Sequence, residues 1–235
     1  MVKLSTLQPG QVAAEVWAYP TGIMPRRWAD LAAVEALFFK KAETLGTDYS
    51  DSGGSVSHHQ IGSNLPIYTV LTTGNVSGYR AGTHGQHGIA RLDRLPAGIA
   101  PLTKILEVRA LLFQVADCAV SIGFTSNTER EPTTPCAHFL YDSSVGANWQ
   151  SRTYTTGEQQ ADTGVAGDTS AHIFRIESVS VQARFYIDGS LVCVHSTQVP
   201  PGGTQGWMDY ISAYCYTLTT AYKTAYIFSV AVWME

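Results

Sequence analysis

Two carboxylates two residues apart, Glu129 and Glu131, are the nearest approach in the chain to an acid and base pair for cleaving a glycosidic bond. That reaction needs two carboxyl groups roughly 5 to 10 Å apart across one sugar. Pro132 and Pro135 follow at once, so this pair is expected on a solvated loop. Histidines occur as His58-His59 and as His84-Gly85-Gln86-His87. Glycines at 82, 85 and 88 give the second pair loop flexibility in place of the fixed spacing of a helical zinc site. Asp142, Asp162, Asp168 and Asp188 each stand beside Gly, Ser or Thr, where aspartate stabilises turns, and they are too dispersed for a calcium loop. The run Gly82 to Gly88 lacks the Gly-Lys-Ser/Thr ending of a phosphate loop, and no Gly-x-Ser-x-Gly elbow lies between a strand and a helix. No catalytic set, metal or cofactor is therefore expected. Exposed aromatic rings are the remaining chemistry, because they offer flat apolar area with a polar edge to a sugar or a subunit. Trp149, Tyr154, Trp207, Tyr210, Tyr214 and Tyr216 are the candidates. The tail from Gly206 to Glu235 carries only Asp209, Lys223 and Glu235 as charges, the composition of an interface.

These residues need elements to hold them. From Pro25 to about Gly46, Trp28, Leu31, Val34, Leu37, Phe38 and Lys41 recur at three- and four-residue steps, which predicts one amphipathic helix that must dock on something. Residues 47–64 have no apolar period and are expected to be a linker. From Leu65 onward the pattern is strand and turn. Lys104 to Val115 is β-branched and Leu-rich, and Cys118, Val120, Ile122 and Phe124 alternate with small residues, which predicts a hairpin turning at Ala116-Asp117. Val181, Ala183, Phe185 and Ile187 share one face of a half-buried strand. Asp188-Gly189 then supplies a two-residue turn, with Leu191 to His195 returning. Ala213 to Trp233 adds two further runs. The expectation is two packed antiparallel sheets.

The chain has 235 residues, enough for one large β domain with an arm, and only 14% of them are charged, against roughly 25% in ordinary domains. Ser, Thr, Gly and Tyr fill the deficit, which excludes a Glu/Lys-rich helical protein and argues against disorder. A formal net charge of −4 gives no basic footprint for nucleic acid. The longest apolar run, Tyr226 to Met234, is too short to span a bilayer as a helix, and Met1 to Pro20 has no signal-like core. Synthesis in the cytoplasm is expected. Cys118, Cys136, Cys193 and Cys215 are irregularly spaced and are expected as buried free thiols.

The stretch from His138 to Pro201 contains Tyr141-Asp142-Ser143, Asn148-Trp149-Gln150, Asp162-Thr163-Gly164-Val165, the strand from His172 to Glu177, the Phe185-Tyr186-Ile187-Asp188-Gly189 hairpin and Val199-Pro200. With Ile122-Gly123-Phe124 ahead of it, this order resembles the concanavalin A-like (lectin/glucanase) jelly rolls of tailed-bacteriophage virion proteins. The resemblance covers about residues 65–235. It implies an all-β antiparallel sandwich, preceded by an arm, helix and linker over residues 1–64. Glucanases of this fold carry Glu-x-Asp-x-x-Glu or Glu-x-Asp-x-Glu on one strand, and neither string occurs here. The resemblance therefore implies a non-enzymatic virion protein, foremost a capsid decoration or cement protein on the shell exterior. Its partners would be the major capsid protein and copies of itself, as a homotrimer, with Trp28, Leu31, Leu37, Phe38 and Phe39 as the anchoring contact. A receptor-binding tail lectin for host glycan is the first alternative, and a glycosidase or polysaccharide lyase of the same fold the second.

Overall fold

A computed structural model describes residues 37–38, 47–60, 67–86, 103–126, 135–179, 181–200 and 210–234. All regular structure among them is strand: β1 (Leu37–Phe38), β2 (Thr47–Ser50), β3 (Ser55–Gln60), β4 (Ile67–Thr72), β5 (Arg80–Gln86), β6 (Lys104–Leu112), β7 (Cys118–Thr125), β8 (Cys136–Asp142), β9 (Asn148–Tyr154), β10 (Glu158–Ala166), β11 (Ala171–Val179), β12 (Gln182–Ile187), β13 (Ser190–His195), β14 (Tyr210–Thr217) and β15 (Thr224–Met234). They form two sheets. One runs β13-β12-β11-β6-β15-β4-β3, with β1 also beside β15; the other runs β10-β9-β8-β7-β14-β5-β2. Neighbouring strands are antiparallel throughout.

Period-two alternation drives the stacking. Ala183, Phe185 and Ile187 of β12, Phe174 and Ile176 of β11, and Val120, Ile122 and Phe124 of β7 all enter one shared core. Its centre is aromatic. The Phe139 ring lies 5.1 Å from Phe174 and 5.2 Å from Phe185 across the layers, and Trp149 lies 4.5 Å from Phe174. Each such ring removed from water stabilises the sandwich by about 1.5–3 kcal/mol. Asp188 and Gly189 take φ of 52° and 80°, the left-handed pair that the two-residue turn demands, and Ile187 faces Ser190 across it.

Four expectations are corrected here. β6 and β7 are not a hairpin: β6 pairs β11 and β15, whereas β7 pairs β8 and β14 in the other sheet. The chain crosses from one sheet to the other at Ala116-Asp117, where Asp117 takes a φ of 54° and β7 enters its sheet between β8 and β14. The described part of the expected linker is largely strand: β2 is the edge strand of one sheet and β3 that of the other, on the same side of the sandwich, and β3 packs Val56 against the core. Edge strands bury little, so their composition stays polar and hides them from a hydrophobicity pattern. Within the expected helix, Leu37 and Phe38 are strand, paired with Val232 and Ala231. β4 accompanies β15 only from Thr224 to Ile227, and β1 continues the ladder beyond it. The rest of that segment, including Trp28, Leu31 and Phe39, lies outside the described residues. Val181, expected on the inner face, sits in the turn before β12 and is exposed.

Candidate functional site

The outer face of the seven-stranded sheet collects the residues best suited to chemistry. Alternation sends every second residue of each strand to that side, and register sets them in rows. Tyr214 of β14 faces Gly82 of β5 on one side and Ser121 of β7 on the other. In the next row His84 faces Ser212, Ser212 faces Gly123, Gly123 faces His138 and His138 faces Arg152. A Cβ built on Gly82 would fall inside the Tyr214 ring, so glycine is what lets that ring lie down on the sheet. A Cβ on Gly123 would likewise strike the Ala137 carbonyl and the backbone of His138.

The polar groups of this face are engaged with one another. His138 lies between Ser121 Oγ, 2.6 Å from Nδ1, and Ser212 Oγ, 3.4 Å from Nε2. Burial, reinforced by the Arg152 guanidinium, pushes its pKa down to about 3, so the ring is neutral at physiological pH. Tyr214 Oη lies 3.0 Å from His84 Nδ1, and Tyr214 and His138 are each 1% exposed. Toward the sheet edge the face opens. Arg152 binds Glu158 at 3.0 Å and sits 5.9 Å from the centre of the half-buried Tyr154 ring. Asn148 donates to both oxygens of Asp162 at 3.0 and 3.2 Å. The Gly164 N–H and Asn148 hold the exposed Asp162 carboxyl below its ordinary range, which suits an anionic turn former and not a general acid.

The opposite outer face, on the eight-stranded sheet, carries an aromatic stripe. His59 stacks on Tyr68 at 5.2 Å, Tyr68 lies 6.3 Å from Phe228, and Phe228 stacks with Tyr226 at 6.2 Å. Phe113, 58% exposed, continues it 6.1 Å from Tyr226, and the Arg109 guanidinium covers Phe228 at 5.5 Å. Beside the stripe, Arg175 binds Glu177 at 2.6 Å and Tyr186 donates to Glu177 at 3.0 Å. Burial raises the Glu107 carboxyl on this face, with Arg175 opposing the shift.

Of the aromatic candidates, Trp149 is 1% exposed and belongs to the core, and Tyr214 lies flat and buried, so neither ring is a platform. Their alternating neighbours looked like any strand, and only the packing of the second layer decided which face was closed. Tyr154 and Tyr216 are half-buried on the outer face. Tyr210 belongs to β14, with only its backbone described; Trp207, Glu129, Glu131 and His87 lie outside the described residues. His84 stands in β5, where the sequence suggested a glycine-rich loop. His138, Ser121, Ser212 and Arg152 were not anticipated. The signal for His138 was its place between Ala137 and Phe139, an isolated polar residue in an apolar strand. Among the described residues no group of three His, Cys, Asp or Glu side chains is placed to hold a metal ion.

No known protein family and no curated protein matches the sequence. Solved structures do match in fold. A sialidase superposes over 79% of this chain with a TM-score of 0.54 at 11% identity. A structure described under endo-acting O-glycanases of human gut microbiota that initiate mucin breakdown covers 77% of this chain and 83% of its own, with a TM-score of 0.52 at 12% identity. An alginate lyase covers 70% of this chain at 10% identity with a TM-score of 0.48. This chain spans only 16% of the sialidase. The fold is the concanavalin A-like lectin/glucanase sandwich, all-β with two antiparallel sheets.

Proposed function

We propose that this chain is a non-enzymatic structural protein of a bacteriophage virion, acting as a decoration or cement protein on the outside of the capsid. The observation that supports the non-enzymatic part is the closed polar face of the seven-stranded sheet. Its best acid–base groups, Tyr214 with His84 and Ser121 with His138, are hydrogen-bonded in place and buried, and a proton donor must reach substrate to act. The virion part rests on the resemblance over His138 to Pro201. The aromatic stripe of the eight-stranded sheet supports a protein-facing role, since the exposed Phe113 and the half-buried Tyr226, Phe228 and Tyr68 beside it form one apolar row of the kind that marks contact surfaces. The shell would be the partner, with copies of this chain arranged as a trimer, and repeated apolar burial would stiffen it at about 25 cal/mol per Å2.

Quantitative mass spectrometry of purified virions against the major capsid protein tests the reading. Hundreds of copies per particle are expected, and absence from the particle would overturn it. Tyr154 favours one second reading, contact with host glycan, because its ring stands beside Arg152 and the exposed Glu158 at an open sheet edge. A handful of copies per particle, together with hits on a glycan array lost in Tyr154→Ala, would select that reading over decoration.

A further inference from the structure

His172 near the start of β11 stands between two carboxylates from different segments. Its Nδ1 is 2.6 Å from Asp188 Oδ2, and its Nε2 is 3.1 Å from Asp168 Oδ1. Asp188 is the first residue of the β12–β13 turn, and it is tied twice to β11: its Oδ1 accepts the Ile173 N–H at 2.9 Å, and its own N–H donates to the Ile173 carbonyl at 2.9 Å. Asp168 belongs to the loop before β11, where its Oδ1 also accepts the Ser170 N–H at 2.6 Å. One imidazole thus staples the loop to the hairpin that carries β13, the outermost strand of its sheet.

Ionised carboxylates only accept hydrogen bonds. An imidazolium has two N–H donors and a neutral imidazole has one, so both contacts are satisfied only by the protonated ring. We propose that His172 is a pH-operated latch, closed when protonated, whose Asp168 arm opens on deprotonation while its Asp188 arm stays shut. The order follows from the geometry. The remaining proton stays on Nδ1, where the contact is shorter and Asp188 is already fixed by Ile173, and the Nε2 lone pair then repels Asp168. Among the described residues Asp188 and Asp168 are the charged groups that act on the ring, while β6 sets Ala110 opposite His172 and the Phe174 ring meets it edge-on at 6.1 Å. Burial by itself would lower the His172 pKa, but hydrogen bonds to Asp188 and Asp168, with their charges, outweigh it and raise the pKa above 6.5. A raised histidine contributes stability in full below 6.5 and loses it as pH climbs through the folded value.

The test is a titration of the full chain, with 15N-labelled histidine, over about pH 5 to 9. The expected results are a His172 midpoint above the ordinary histidine value and a high-pH tautomer protonated at Nδ1. Amide exchange at Ser170, corrected for intrinsic base catalysis, should accelerate through that midpoint while Ile173 stays protected. Asp168→Asn and Asp188→Asn should each lower the midpoint, by about one pH unit for loss of a close opposite charge. Asparagine accepts the same backbone N–H groups and tolerates the positive φ at 188, and the wild-type titration stands alone should either variant not fold. A midpoint at or below the ordinary value, an Nε2-protonated high-pH tautomer, or release of Ile173 before Ser170 would each overturn the latch.

Discussion

Histidines in this protein are set in opposite directions by what surrounds them. His195 is sealed between the sheets, with Ser151 Oγ 2.9 Å from Nε2 and Thr153 Oγ1 2.9 Å from Nδ1. Burial pushes its pKa down to about 4, and that of His138 to about 3. Both rings fold as neutral groups, whereas an unfolded chain binds their protons near 6.5. Their contribution to stability is therefore present above about pH 6.5 and lost as pH falls through 4 and 3. Chemical denaturation as a function of pH should show stability declining on the acid side of 6.5. In His195→Gln the decline should be shallower, at a cost of about 1–3 kcal/mol at neutral pH from disturbed buried hydrogen bonds. An unchanged acid slope would remove His195 from the account. His172, whose pKa is raised by its two aspartates, acts on the alkaline side of the same profile.

Strands place these groups through register and alternation, and glycine sets how closely two strands share a face. Tyr214 can lie flat only because its cross-strand neighbour on β5 is Gly82. Gly82→Ala should lift or displace the Tyr214 ring and cost about 1–3 kcal/mol as an overpacking change. Thermal denaturation reads the loss, and near-ultraviolet circular dichroism reads the ring; an unaltered spectrum and melting temperature would contradict the stacking. At the same scale, β2 shows how an element escapes notice in the sequence. Thr47 to Ser50 carry no apolar repeat, yet their backbone pairs with β5 from His84 to Ala81. His58 of β3 then donates to Asp48 of β2 at 2.8 Å, which links the two sheets at their polar edges.

Cohesion of the whole molecule comes from the sheet-to-sheet core, without covalent cross-links. All four cysteines are free: Cys118, Cys136 and Cys215 are buried and Cys193 is half-buried. Burial raises the Cys118 thiol to about 11, Cys136 to about 12 and Cys215 higher still. Reductant should leave the melting temperature unchanged, and thiol reagents should modify Cys193 in the native protein and the other three only on unfolding. Rapid native labelling of all four would contradict this packing. Among the described residues the two outer faces differ in chemistry, one carrying buried, mutually hydrogen-bonded polar groups, the other a half-buried aromatic row that ends at the exposed Phe113. Copy number per virion is the property of the whole particle on which the proposed function depends.

Asp188-Gly189 and the flanking alternation determined the β12–β13 hairpin by local means alone, because positive φ and period two are properties of neighbouring residues. The expected all-β class had the same origin, and so did the burial of Ala183, Phe185 and Ile187. Tertiary structure decided what depends on distant partners: that β6 and β7 belong to different sheets, that the polar strands β2 and β3 close the edges, and that the Trp149 ring is core. It also decided that His172 meets carboxylates 4 residues before it and 16 after it. A strand's pattern states that one face is to be buried, but which face meets the second layer is fixed only when both sheets assemble.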